Sequence, residues 1–357
     1  MTSRERILTA LSHKDTDITP FSWGFGINYP AKKMLAEYLK LDMGELDKKL
    51  SAMTDIRHVG PKYIGPADRI KHFPDGSYTD MWGVKRSPVQ NQKDTYLEIS
   101  ESPLKNHTSV EELENYVFPE VDWFDFSVIP EQIENYKKSG DYAIMMGNGN
   151  IFECSWYMRG LEQMFEDLLV NKEYVHCLFN KVTEYFIKYL SKALEAADGK
   201  LDLIFTADDI GSQTGLLMSL PLWEEMLKPY HKKMNKAIHE YGAKIIYHSD
   251  GSVMDAVDGL IDMGIDVLEA LQFDAAGMDP AELKNRAGDR LCFHGGVSVQ
   301  ATLPFGTPEE VESEVKNLIK ILGKNGGYIL APSHAVQAGT PPENIHAFLK
   351  TTGRFEE

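Results

Sequence analysis

From about residue 141 onward the chain repeats one pattern, a strand-length apolar run followed by a helix-length amphipathic stretch. Apolar runs fall at 142–146, 201–206, 244–247, 266–270, 290–293 and 327–330. Helical periodicity fills the intervals, over 155–169 with 173–197, then 221–241, 252–263, 279–287 and 307–323, with a last helix from Pro341. Strands that alternate with helices pair in parallel, because each crossover helix returns the chain to the same end of the sheet. Six such units plus one or two N-terminal strands predict an α/β chain folded as a (β/α)₈ TIM barrel, one domain over 1–357. An open doubly wound sheet is the rival, but no G-x-G-x-x-G follows an early strand.

The N-terminal part is less regular. Thr2 and Glu5 form a T-x-x-E capping box for a helix over 2–13, with Ile7, Leu8 and Leu11 on one face. Residues 17–26 read as a first strand leading into a Gly-rich loop, and 31–50 as a helix. The stretch 60–118 is rich in Pro, Gly, Asp and aromatic residues, with short alternation at 95–99. It predicts an inserted β-hairpin or lid rather than another barrel unit.

Charge narrows the partners. The 357 residues carry 37 Lys and Arg against 54 Asp and Glu, a formal net charge of −17. Nucleic acid and anionic membrane surfaces would be repelled, which leaves a small-molecule substrate, a metal or a protein partner. Cys154, Cys177 and Cys292 are far apart and form no C-x-x-C, so a reducing cytoplasm is expected. The first residues lack the apolar core of a signal peptide, and no uncharged apolar run nears the ~18 residues that span a bilayer.

Each late strand ends on groups capable of chemistry. Glu153 follows the Gly147–Asn150 turn, Asp208 and Asp209 follow LIFT, and His248 and Asp250 follow KIIY. His294 precedes Gly295-Gly296, and His334 follows YILAPS. In a barrel these ends converge on one mouth. Two imidazoles and a carboxylate at His248, Asp250 and His334, with Glu153, suit an open site for Zn²⁺, Fe or Mn. Asp250 reads equally well as a helix cap, as does Glu153. Asp208 and Asp209 form a carboxylate pair in which one member acts as acid or base and the other bonds loop amides. His294 reads either as a buried, hydrogen-bonded histidine or as a catalytic group. Cys154, Met145 and Met146 read as packing residues.

Several segments resemble the uroporphyrinogen decarboxylase superfamily: ADDIGSQ at 207–213, YHSDG at 247–251, DMGID at 262–266, FHGGVSVQATLPFGTPEEV from Phe293 and APSHAVQAGTPPENI from Ala331. The opening RERILTALSHKDTDITP is similar too. The resemblance spans most of the chain outside about 60–120, and it implies a (β/α)₈ barrel and a homodimer. Uroporphyrinogen decarboxylases grip an octacarboxylate with an Arg-rich N-terminal motif. This chain has FSWGFGINYPA there, with no Arg between Arg6 and Arg57. The superfamily's other branch holds corrinoid-dependent methyltransferases, whose coenzyme M members bind zinc through H-x-C and a later Cys. The matching positions are His248, Asp250 and His334, a harder N/O set that favours an oxygen-bearing substrate over a thiol. The resemblance therefore implies a zinc-assisted methyltransferase working with a separate corrinoid protein, with Asp208, Asp209 and His294 as catalytic residues. The alternative it implies is a cofactor-independent decarboxylase of a less anionic acid.

Overall fold

The computed structural model describes residues 1–90 and 95–355; positions 91–94 of the inserted region lie outside the described residues. Seven parallel strands form one curled sheet in sequential order. They are β1 (Ile56–His58), β2 (Ala143–Asn150), β3 (Leu203–Ala207), β4 (Lys244–His248), β5 (Val267–Ala270), β6 (Cys292–Val297) and β7 (Tyr328–Pro332). The fold is TIM-barrel-like, and the six late strands stand where the apolar runs place them.

The first expected strand, 17–26, does not form a ladder. Pro20 lies within it and cannot donate to a ladder. A single parallel bridge, Phe21 to Leu330, survives. The Phe21 segment still lies between the sheet's two edges: Ser22 N donates to Leu330 O, Leu330 N to Pro20 O, and Asp55 N to Phe21 O. The helix expected over 31–50 is two helices, Tyr29–Leu39 and Met43–Met53. Lys40 ends the first in a left-handed conformation, and Asp42 starts the second with a capping box to Glu45. The stretch 60–118 holds a four-stranded antiparallel sheet rather than one hairpin, with strands Lys71–His72, Tyr78–Thr79, Lys85–Gln90 and Thr95–Glu101.

Period-two alternation decides what fills the barrel. Ile56, Ala143, Met145, Leu203, Ile246, Val267, Cys292 and Ile329 form one buried inner cluster, and Ile7 of the first helix joins it from below. A second, larger cluster lies between the strands and the surrounding helices. Two residues beyond the inner apolar cluster, the same inward series reaches His58, Phe205, His248, Glu269 and His294. The apolar floor thus supports a polar layer directly above it.

Asp55 ties the sheet's seam. Its side chain is fully buried and pairs with Arg6 Nη1 at 2.7 Å and Arg354 Nη2 at 2.8 Å. It also accepts a hydrogen bond from Phe21 N at 2.9 Å. One carboxylate thereby joins the N-terminal helix, the Phe21 segment, the start of β1 and the C-terminal residues. Removing one partner of a buried ion pair costs about 3–5 kcal/mol. Asp55→Ala is expected to lower urea-unfolding stability by about that amount; a loss under about 1 kcal/mol would contradict this role.

Candidate active site

The register of three adjacent strands builds the centre of the mouth. His248 of β4 lies opposite Glu269 of β5, and Glu269 opposite His294 of β6. Glu269 is fully buried and shared: Oε2 meets His248 Nδ1 in a short hydrogen bond, and Oε1 lies 3.6 Å from His294 Nδ1. Burial alone would raise the Glu269 pKa, but the charge and hydrogen bond of His248, together with the nearby His294, outweigh it and hold it at about 2. Burial alone would lower that of His248, but Glu269, followed by Asp250 and Asp209, lifts it to about 9. A carboxylate on Nδ1 orients the ring so that Nε2 faces the mouth.

What Nε2 faces is acidic. Asp209 Oδ1 lies 3.6 Å away and Asp250 Oδ1 3.9 Å away. His248, Asp250 and His334 each offer one ligand atom, all within 4.8 Å of one another. An N₂O set of this span fits a Zn²⁺, Fe or Mn ion with positions left for substrate or water. Phe25 walls this group. Its ring stacks on His334 at 4.5 Å and 15° and stands edge-on to His248 at 4.8 Å. It comes from the FSWGFG segment, where the resemblance would place arginines.

The expected carboxylate pair divides its roles. Asp208 is fully buried and accepts hydrogen bonds from Phe152 N and Glu153 N, both at 2.7 Å, and pairs with His231 Nε2 at 2.5 Å. Those contacts anchor the start of the helix Ile151–Arg159. Asp209 instead is partly exposed, receives Asp250 N at 2.8 Å and faces His248. Glu153 stands outside the His248–Asp250–His334 group. Asn150 Nδ2 donates to it at 2.6 Å and Tyr157 OH at 3.0 Å. Burial, then the charges of Asp208 and Asp209, raise its pKa to about 7. The inserted sheet reaches this corner, since Arg86 lies 5.1 Å over the Tyr157 ring.

Two polar residues of the mouth were not singled out as functional from sequence. Glu269 sits inside the run VLEA, and its signal was a carboxylate on the inward series of a buried strand. His58 ends β1 on the same series. Partial dehydration of its ring, then the His294 and Arg57 charges, lower its pKa although the residue keeps an exposed flank. Both ring nitrogens of His294 are buried without a hydrogen-bond partner among the described residues.

Backbone strain surrounds this carboxylate. Ala270 and Leu271 have φ of 84° and 56°, a conformation that non-glycine residues rarely adopt. Gly295 accommodates that bend, because a Cβ there would lie 2.4 Å from Ala270 O. Gly24 closes over it, where a Cβ would lie 3.6 Å from both Glu269 Oε1 and His294 Cε1.

The uroporphyrinogen decarboxylase family model matches residues 2–355. The chain belongs to this family. A uroporphyrinogen decarboxylase of Pseudoalteromonas atlantica is 20% identical over 98% of this chain and 96% of its own length. One from Pseudoalteromonas translucida is 24% identical over 51% of this chain, which spans about half (48%) of that relative. Among solved structures, a methyltransferase from Methanosarcina mazei superposes with a TM-score of 0.66 at 18% identity, covering 99% of both chains. That likeness establishes the shared fold. No helix among the described residues is long and apolar enough to cross a membrane.

The raised Glu153 pKa has a stability consequence with a definite sign. The folded state keeps a proton to about pH 7 that the unfolded chain releases near the ordinary value of 4.5. Stability from this group is therefore full below about 4.5 and is lost as pH rises toward 7. Glu153→Gln mimics the protonated form. Its melting temperature is expected to match wild type at pH 5 and exceed it at pH 8. A constant difference at both pH values would refute the shifted titration.

Proposed function

We propose that this chain is a methyltransferase that moves a methyl group between an oxygen-bearing small substrate and a corrinoid held by a separate protein. The observation that carries the reading is the convergence of His248, Asp250 and His334 within 4.8 Å at the barrel mouth. His248, Asp250 and His334 would hold a Zn²⁺ ion. When bound, such an ion supplies Lewis acidity to the substrate heteroatom and lowers its pKa. Glu269 supports this set by fixing the His248 ring from behind. Asp209 sits beside it, where it can accept a hydrogen bond from a substrate hydroxyl. Glu153, half-titrated near neutral pH, exchanges a proton with the heteroatom as the methyl leaves or arrives. His294 shares the Glu269 carboxylate and keeps a free ring nitrogen as a second proton site. Phe25 excludes water from the His334 side.

The charge of the mouth speaks against the decarboxylation named for the curated relatives. An octacarboxylate needs guanidinium partners. Here Arg57 is buried on backbone carbonyls of Ser51, Thr54 and Ile56, and Arg86 is committed to Asp80. Carboxylates Asp209, Asp250 and Glu153 crowd the same opening.

Elemental analysis of the purified protein, with zinc added and excess removed, tests the reading. About one zinc per chain is expected, falling below a tenth in His248→Ala. A wild-type chain that retains no metal, or a His248→Ala chain that retains all of it, would refute it. Removing an outer partner of a ligating histidine typically costs about 10–100-fold in metal affinity. Glu269→Gln is expected to weaken zinc binding by that factor in a competitive chelator titration, and an unchanged affinity would separate Glu269 from the metal site.

A further inference from the structure

We infer that the cavity beside His334 is a recognition subsite for an uncharged oxygen acceptor of the substrate, held by carboxamide N–H donors. The inference rests on the function proposed above only in taking His248, Asp250 and His334 as the reacting centre. The cavity has a volume of about 170 Å³, and three carboxamides, Gln272, Gln300 and Gln337, line it together with Ser333, Asp250 and His334. At roughly 30 Å³ per water-sized group it holds about five or six such groups. A wider cavity of about 640 Å³ lies elsewhere, between residues 118–122 and the helix Lys172–Ala197, and contains none of the mouth residues.

The orientation of the carboxamides identifies what they can bind. Gln272 Oε1 accepts Gly251 N at 2.9 Å, Gln337 Oε1 accepts Asn28 Nδ2 at 2.8 Å, and Gln300 Oε1 accepts Gln213 Nε2 at 3.3 Å. The backbone N–H of Gly251 sets the Gln272 orientation, while Gln337 and Gln300 each meet another side-chain amide and in this arrangement offer their NH₂ groups. Gln272 is 4% exposed, and its Nε2 is buried with no hydrogen-bond partner among the described residues. A buried donor without an acceptor is costly, and a shift of the Gln272 side chain that brings Nε2 to the cavity wall lets an incoming acceptor relieve that cost. The consecutive positive φ angles at Ala270 and Leu271 immediately precede Gln272 and turn the chain toward this cavity.

Charge selects among acceptors. Among the described residues no Lys or Arg lines the cavity, and the Asp250 carboxylate borders it. A carboxylate or phosphate entering here meets the Asp250 carboxylate, and the nearby His248 ring already faces both Asp250 and Asp209. A carbonyl or ether oxygen takes the same N–H donors without that repulsion. Val299 supplies an apolar contact for the carbon frame that bears it.

Hydroxyacetone and glycolate are near-isosteres that differ in a neutral methyl ketone against a carboxylate. Their binding to the full-length, chelator-treated protein is measured by ligand-observed NMR titration. Hydroxyacetone is expected to bind at least tenfold more tightly than glycolate. Gln272→Leu is expected to weaken hydroxyacetone about tenfold. Gln300→Leu changes an exposed position, leaves the fold intact and is expected to weaken it about threefold. Equal or tighter binding of glycolate, no binding of either probe, or full hydroxyacetone affinity in both variants would overturn the subsite. The comparison is made without metal, so a failure to bind zinc or transfer methyl groups leaves its outcome readable.

Discussion

A single buried carboxylate, Glu269, sets the chemistry of this barrel. An isolated charge at that depth would cost several kcal/mol, and two imidazoles on the neighbouring strands offset it. The arrangement exists only because β4, β5 and β6 are in register at that level. A slip of one residue would turn Glu269 toward the helices and leave His248 without its partner. The strained Ala270–Leu271 bend directly follows Glu269, and Gly295 packs against it where a Cβ would lie 2.4 Å from Ala270 O.

Above this layer the polar groups separate by how committed they are. Asp208 spends both oxygens on helix amides and His231, so its charge serves architecture. Asp209, Asp250 and His334 keep atoms directed at one another and at the opening. Glu153 lies between these two kinds, held by Asn150 and Tyr157 yet titrating near neutrality. The inserted sheet enters through Arg86 and Tyr157, so a region outside the barrel repeat shapes the site's acid–base corner.

Much of this was legible in the sequence, and the parts that were not share a cause. Apolar runs bounded by helices located six strands, because burial on both faces demands continuous hydrophobicity. The same rule exposed Asp208, Asp209, His248, Asp250, His294 and His334 as strand-end residues. It placed Glu269 inside a strand end but gave it no role, because the imidazoles that partner it come from the neighbouring strands. It also could not separate Asp208 from Asp209, since the amides that claim Asp208 come from residues 152 and 153, more than fifty positions earlier. The strand expected at 17–26 shrank to one bridge because its hydrogen bonds depend on Pro20 and on two sheet edges distant in sequence.

The proposed function requires an N/O metal site at the mouth, organised by Glu269, with the cysteines uninvolved. X-ray absorption at the zinc edge of the zinc-loaded protein tests it most directly. The expected first shell is nitrogen and oxygen at about 2.0–2.2 Å, with multiple scattering from two imidazoles and no sulfur. A sulfur scatterer near 2.3 Å, or a shell with no imidazole, would contradict it.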